Sequence, residues 1–429
     1  MKNARIAATQ RATRQRRKTQ VCKVFTLGIQ SNKLSARQKE ALGMVFVEAK
    51  WLYNDALASG DVFTYTPGAT VGVLDKHGDR LEREFRFLGS QMKQSVIQGM
   101  KASIKALSTR KKNGGEVGRL SFRSQVCSLD LKQAGTTYRV RGSKAKVQNI
   151  PGWVRVHGAT QLEGWEIANA KLIQTPKGYE LKVTAYQDKN EHAKTLPTPS
   201  KECVGIDMGV KTHLTFSDGR KVDVSHGETE RLKRLSRKLS RQQEGSNGWN
   251  NTCSLIDREY QEMDERKADA ANKIVHDLVS TYKVIYLQDE NISAWKRTNG
   301  YIKAGRKLQH SVLGRVKAKL MGLAETNPEQ VVVLDRFAPT TAMCVCGTKT
   351  PHHVSKRTFE CSHCGHREDR DTHAAKNMIW MGNNPNGQYL RAGGNKRGRS
   401  GCKTRQDRAT GDDTQTTQKP EAATSSASR

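Results

Sequence analysis

The chain has 429 residues and carries 74 Lys plus Arg against 42 Asp plus Glu, a formal net charge of +32 at pH 7. That surplus repels cationic ligands and attracts polyanions, so nucleic acid is the expected partner and an anionic membrane surface its competitor. The length allows about two to four domains, no apolar run reaches the ~18 residues of a membrane span, and the first twenty residues lack the apolar stretch of a secretory signal.

The basic opening, MKNARIAATQRATRQRRKTQ, has the composition of a transit peptide but reads equally as an arm whose Arg14, Arg16, Arg17 and Lys18 touch phosphates. VCKVFTLGI follows as a strand. Ser35 stands three residues before Gln38, the spacing of a capping box, and Leu42, Val45, Phe46, Ala49, Leu52, Tyr53 and Leu57 recur at helical intervals up to Gly60. A second helix begins near Ser90, with Met92, Val96, Ile97, Met100, Ile104 and Leu107 on one side and Lys93, Lys101 and Lys105 on the other. It runs into TRKKNGGEVGRLSFRS, a Gly-rich loop whose Arg110, Lys111, Lys112, Arg119 and Arg123 suit a phosphate backbone; a solvated helix face is the plainer reading of any one of the lysines.

From about residue 130 the period changes to two. TYRVRG, AKVQNI, WVRVHG and AKLIQTPKGYELKVTAY, the last with a Pro176-Lys177-Gly178 turn, predict antiparallel strands. QDKNEHAKTLPTPSK reads as a polar linker. KECVGIDMGVKTHLTFSDGRKVDV then opens a new domain with a strand pair that returns through Asp218-Gly219. Residues 228–282 predict two helices around a break at EGSNGWNN, the first with Leu232, Leu235 and Leu239 on one face and Arg231, Arg234, Lys238 and Arg241 around it. The strand KVIYLQDENI, a helix around SVLGRVKAKLMGL and the strand QVVVLDRF follow, and the end of the chain from NPNGQYL reads as a disordered tail. Trp51, Tyr53, Trp153, Trp165, Trp249 and Trp295 could stack on bases, although core packing is the commoner fate of such residues.

Acids at strand ends stand out in so basic a chain. Asp207 lies inside the apolar VGIDMGV, where a carboxylate is costly without a cation or hydrogen-bond donors; alternation puts it on one face with Gly205 and Gly209, whose missing side chains leave room for a ligand. Asp289 and Glu290 close a second apolar strand, and Asp371 falls in the first turn of a helix at DTHAAKNM. An isolated Asp at a strand end commonly serves a turn or an ion pair. Three such acids brought together can hold two divalent ions of the magnesium type, which activate water and stabilise the leaving oxygen of a phosphodiester.

Of nine Cys, four lie between residues 344 and 364, which favours a metal site in a reducing compartment over a disulfide scaffold. Cys344, Cys346, Cys361 and Cys364 would give a tetrahedral structural zinc site. The first knuckle has a one-residue spacer, which crowds it; His352, His353, His363 or His366 could supply a missing ligand, and a site without metal is the alternative.

GIDMGV, VIYLQDENI, PTTAMCVCG, CSHCG and DRDTHAAKNM, together with FTLGI and KEALGMVFVEAKWLYNDAL, occur in an order that resembles the transposon-encoded TnpB nucleases and the compact type V CRISPR effectors, over residues 20–385. The resemblance implies a multidomain α+β protein: an oligonucleotide-binding-like β-barrel, the wedge, interrupted by a helical recognition lobe, then an RNase H-like (RuvC) α/β domain with an inserted zinc ribbon. The expected divisions are a basic arm and first wedge strand (1–30), recognition lobe (31–129), wedge and linker (130–199), RuvC-like domain (200–340), zinc-ribbon-like insertion (341–366), final RuvC segment (367–385) and tail (386–429). It also implies a structured guide RNA, recognition of a short motif beside the target, and cleavage of both strands of double-stranded DNA at one site.

By the same resemblance Asp207 is the first catalytic Asp and Asp371 the third, in a segment where His373 replaces the family's first Asn. The second motif departs from the pattern, since Gln288 stands where the family has Glu. Glu290, on the same strand face two residues on, is the expected substitute, and Asp289 would point away. The leading expectation is a magnesium-dependent RNA-guided DNA endonuclease, a cytoplasmic prokaryotic protein acting as a monomer. The alternatives are an RNA-guided DNA binder whose nuclease is inactive and a zinc-ribbon DNA-binding protein that needs no RNA.

Overall fold

A computed structural model of the chain describes residues 2–74, 77–195, 197–296, 305–350, 356–384 and 388–391. Two large hydrophobic cores follow one another along it, the first drawn from residues 25–185 and the second from residues 204–331.

The opening basic segment is a helix, α1 (Lys2–Lys18), leading into β1 (Gln20–Ile29). α2 (Ala36–Ala58) starts where the capping box predicts: Ser35 Oγ accepts from the Gln38 amide and the Gln38 side chain accepts from the Ser35 amide. Its apolar face packs against α3 (Ser90–Lys112), with the hairpin β2 (Thr70–Leu74) and β3 (Arg80–Glu84) between them in sequence. Glu48 is buried in this lobe, and its carboxylate accepts hydrogen bonds from the amides of Arg86, Phe87 and Leu88. That donor set offsets its desolvation and fixes the entry to α3.

β4 (Ser128–Leu131), β5 (Tyr138–Arg141), β6 (Lys144–Val147), β7 (Val154–His157), β8 (Glu166–Thr175) and β9 (Gly178–Asp188) join β1 in a seven-stranded, nearly closed, barrel-like sheet of order β4-β8-β9-β1-β7-β6-β5. The long β8–β9 hairpin turns at Gly178, whose φ of 138° suits glycine. The expected linker is partly helical, as α4 (Lys189–Lys194).

The second half begins with β10 (Lys201–Met208), β11 (Leu214–Phe216) and β12 (Lys221–Val222). α5 (Glu230–Leu239) and α6 (Asn247–Thr281) follow, and the predicted break is shorter than expected, because Ser246 Oγ caps the Trp249 amide and NGWNN is already helical. Then come β13 (Tyr282–Gln288), α7 (Gly305–His310), α8 (Leu313–Thr326), β14 (Val331–Leu334), β15 (Thr358–Glu360), β16 (Arg367–Asp369) and α9 (Arg370–Gly382). The five-stranded sheet has the order β12-β11-β10-β13-β14; β10, β13 and β14 are parallel and β11 is antiparallel to β10. Residues of α6 and α8 share the core of one face, and α9 covers the other.

The expected tail beginning at residue 386 starts too early. Leu390 bridges to Leu334, and Tyr389 and Leu390 pack onto the α9-side core. The remainder of that tail, from residue 392, lies outside the described residues. No described helix is long and apolar enough to cross a membrane.

Candidate active site and metal centres

Strand alternation turns Val204, Ile206 and Met208 into the α6–α8 core and leaves Gly205 and Asp207 facing α9. Gly205 makes room for a helix rather than for a ligand: a Cβ there would lie 1.8 Å from the Ala375 carbonyl oxygen. Gly209 is likewise filled, since its Cβ would lie 2.8 Å from the Thr212 carbonyl oxygen. Backbone contact at Ala375 brings Asp371, one turn earlier on α9, up to Asp207, two residues further along β10. Asp369 caps α9 by accepting from the Thr372 amide at 3.0 Å, so the Asp371 carboxylate is not spent on the cap.

Asp371 and Glu290 lie close enough to Asp207 for their charges to oppose its ionisation. Burial pushes the Asp207 carboxyl up to about 8, and the charges of Asp371 and Glu290 push in the same direction, with Arg370 giving partial relief. Burial also raises Glu290, against the attraction of Lys317 and Arg336. Arg370 Nη2 lies 2.8 Å and Arg357 Nη1 3.3 Å from the two oxygens of Asp371. An oxygen-only set of neighbouring acids is a donor set that a hard divalent cation would fit.

Glu290 reaches this cluster by a turn, whereas alternation had been the expected route. β13 ends at Gln288, and the Glu290 amide donates back to the Gln288 carbonyl at 2.9 Å. Asp289 is engaged elsewhere, 2.7 Å from Lys317 and 3.2 Å from Arg391, with its carboxyl held below the usual range by the Lys317 hydrogen bond despite partial burial. Gln288 is buried, and its amide is fully used. Nε2 donates to the carbonyls of Asp335, Arg336 and Ala338 at 3.1, 3.0 and 2.8 Å, and Oε1 accepts from Thr340 Oγ1 at 3.0 Å. Sequence spacing could not show this, because every partner lies some fifty residues away.

The four cysteines converge. Cys344 and Cys364 Sγ are 3.5 Å apart and Cys346 and Cys361 Sγ 3.6 Å, with all four within 4.8 Å of one another. Thiolates ~2.3 Å from a tetrahedral zinc lie ~3.8 Å apart, so the group could hold that ion. The short first spacer is absorbed by turning Val345 out to solvent and by a φ of 85° at Gly347. Amides of Cys364 and His363 hold the Cys361 thiol down to about 5, whereas burial pushes Cys344 up to about 12. His363 and His366 are not part of this group; His352 and His353 lie outside the described residues.

The basic residues divide. Arg16 and Arg17 clamp Glu166 at 2.8 and 2.9 Å, and Arg17 also covers the Tyr186 ring. Lys93 donates to the Gly68 carbonyl, Arg123 stacks on Tyr53 and Arg231 pairs with Glu259 at 3.0 Å. Arg14, Lys18, Arg110, Lys111, Lys112, Arg119, Arg234, Lys238 and Arg241 are exposed. Among the aromatic residues, Tyr53 and Trp165 pack with the first core, whereas Trp153 is exposed.

A family described as "Probable transposase" matches residues 182–299, which contain Asp207 and Glu290. The family "Cas12f1-like, TNB domain" matches residues 314–378, which contain the four cysteines and Asp371. A "Putative RNA-guided DNA endonuclease" of Streptomyces pristinaespiralis is 27% identical over 194 residues, 43% of this chain and 47% of its own length. "Putative RNA-guided DNA endonuclease InsQ" of Escherichia coli (strain K12) is 24% identical over 316 residues, 68% of this chain and 76% of its own. "TnpB-like protein L79" of Acanthamoeba polyphaga mimivirus is 26% identical over 129 residues, 29% of this chain and 25% of its own. The chain thus spans about half the length of the first of these relatives and about three quarters of the second. These matches bear out the resemblance to TnpB proteins and compact type V effectors.

Proposed function

We propose that the chain is an RNA-guided DNA endonuclease of RuvC type, with Asp207, Glu290 and Asp371 as its catalytic acids. The observation that carries this reading is the approach of the three carboxylates: Asp371 and Glu290 lie near enough for their charges to add to the burial that lifts Asp207 to about 8. The parallel β10–β13–β14 sheet with α9 on one face supports an RNase H-like core, and the four cysteines support a zinc ribbon. In this reading the barrel-like sheet is the wedge and α2–α3 the recognition lobe, and guide RNA and duplex DNA are the partners.

Asp207, Glu290 and Asp371 would hold two magnesium-class ions, which when bound supply an activated water and charge stabilisation at the leaving oxygen of the phosphodiester. The protein's own part is positional. β10 and α9 fix Asp207 and Asp371 through the Gly205–Ala375 contact, Lys317 holds Asp289 aside, and Arg357 and Arg370 supply positive charge beside Asp371. Sequence choice would come from base pairing with the guide, while exposed Arg and Lys hold phosphates.

The test is cleavage of target duplex by the full chain purified with its RNA. Magnesium-dependent scission should fall at least ~100-fold in Asp207→Ala, Glu290→Gln and Asp371→Ala, with target binding retained. Full cleavage by Glu290→Gln removes that residue from the site. Tight target binding by the wild-type chain without any scission would instead establish the nuclease-inactive alternative.

A further inference from the structure

Beside the cysteine group lies a second cluster that neither the catalytic reading nor the zinc ribbon uses. His366 precedes β16, Glu368 lies on β16, and His373 lies in the first turns of α9; one ligand atom from each falls within 4.8 Å of the others. His373 is 0% exposed and stacks on Phe359 with ring centroids 3.8 Å apart. Its Nε2 is 2.7 Å from the Met343 carbonyl oxygen. The Asn377 amide nitrogen lies 3.1 Å from the same Nε2 but closer to two carbonyls, those of Thr340 and Met343 at 2.7 and 2.6 Å, which take its two hydrogens. The Met343 carbonyl is therefore the acceptor that faces His373 Nε2, which assigns the ring proton to Nε2 and leaves Nδ1 with a bare lone pair.

That lone pair has no hydrogen-bond partner, and 3.7 Å away it faces a second electron-rich atom, Glu368 Oε2. The same oxygen lies 3.5 Å from His366 Nε2, which also lacks a hydrogen bond. The other carboxylate oxygen, Oε1, is held by Lys376, which orients the group and leaves Oε2 directed at the two imidazoles. Two acceptors, His373 Nδ1 and Glu368 Oε2, thus converge with the unbonded His366 Nε2 in a largely buried place, an arrangement that a cation among them would satisfy. Nitrogen and oxygen ligands ~2.0–2.1 Å from a tetrahedral zinc are ~3.3–3.4 Å apart, so the observed edges close with small side-chain rotations. The hydrogen bond from His373 Nε2–H to a backbone carbonyl is the arrangement that metal-bound imidazoles use to fix their orientation.

We propose that His366, Glu368 and His373 form a second metal site for a zinc-class ion, with two imidazole nitrogens, one carboxylate oxygen and solvent as the fourth ligand. Imidazole donors favour zinc over the magnesium of the acidic site. Glu368 and His366 side chains are 18% and 34% exposed, which leaves a path for the ion and room for the solvent ligand. The site joins β16 to α9 two residues from Asp371 and shares the Phe359 and Met343 neighbourhood with the cysteine group. It acts as a positioning device for the first turn of α9. His373, the residue that departs from the family's Asn, is its buried anchor, and the inference stands whether or not the chain cuts DNA.

The test is the zinc content of the full chain after dialysis, with cobalt substitution as a second readout. His366→Gln and His373→Asn should each hold about one equivalent of zinc less than wild type. In the cobalt forms the thiolate-to-cobalt charge-transfer band of the cysteine group should persist in both variants, while the weaker ligand-field absorption falls. His366→Gln, at a half-exposed position, separates ligand loss from misfolding of the buried His373 variant. Zinc content in His366→Gln equal to wild type overturns the site, whatever His373→Asn does.

Discussion

Asp207 shows how a single residue can be placed against its own charge. Its folded-state carboxyl titrates near 8 against a usual value of 3.8. A raised acid gives stability that is complete below the ordinary value and is lost as pH rises through the folded one. The metal-free protein should therefore weaken between about pH 4 and pH 8. Asp207→Asn should remove that dependence, raising metal-free stability by roughly 2–4 kcal/mol at pH 8 and by nothing near pH 4, while abolishing cleavage. Thermal melts in chelator across this range measure it, and identical melting of the two proteins at pH 8 would sink the idea. Gln288 is the opposite case, a residue whose charge would be wrong. Gln288→Glu places an acceptor against three carbonyl oxygens and should destabilise the fold by about 2–4 kcal/mol in urea unfolding, even though it restores the family's residue type. The sequence exposed Gln288 as a departure, but not its reason, because the carbonyls it satisfies belong to residues 335–338.

At the scale of elements, signals carried by neighbouring residues were readable and those carried across the chain were not. The Ser35–Gln38 box, the period-two strands and the Pro176-Lys177-Gly178 turn lie within a few positions of what they determine, and α2, β8 and β9 form as expected. The start of α6 was obscured because Gly and Asn suggest a break, while Ser246 supplies the cap that overrides their weak helix preference. Gly205 was singled out for the right feature and the wrong consequence: its missing Cβ admits the α9 backbone. Gly205→Ala must push back a carbonyl that has no rotamer to yield, so α9 has to move and carry Asp371 with it. The expected cost is about 2–3 kcal/mol, with cleavage falling by more than the loss of folded protein explains. Activity per folded molecule, from melts and cleavage rates on the same samples, measures this; unchanged specific activity would show that α9 does not set the site.

Across the whole molecule, the net charge of +32 stands whatever pairs form, but part of the 74 Lys and Arg side chains is engaged by acids inside the fold. Arg16 and Arg17 are bound to Glu166, Arg231 to Glu259, and Lys177 to Glu262 and Glu265, the last joining the β8–β9 turn to α6 across the two halves of the chain. Composition counted these residues with the rest, because a charge total carries no pairing. What remains outward includes Lys111, Lys112 and Arg119 on the first half and Arg234, Lys238 and Arg241 on the second. The two groups should respond differently to mutation. Each phosphate neutralised contributes about 0.7–0.9 to the slope of log affinity against log salt, so replacing Arg234, Lys238 and Arg241 together by Ala should flatten that slope by about 2–3 and weaken binding across sequences alike. Replacing Arg16 and Arg17 should lower the melting temperature by loosening α1 from the barrel and leave the slope nearly unchanged. Salt titrations of RNA binding by the full chain separate them, and a slope that falls equally in both variants would mean that the internal ion pairs open when nucleic acid binds.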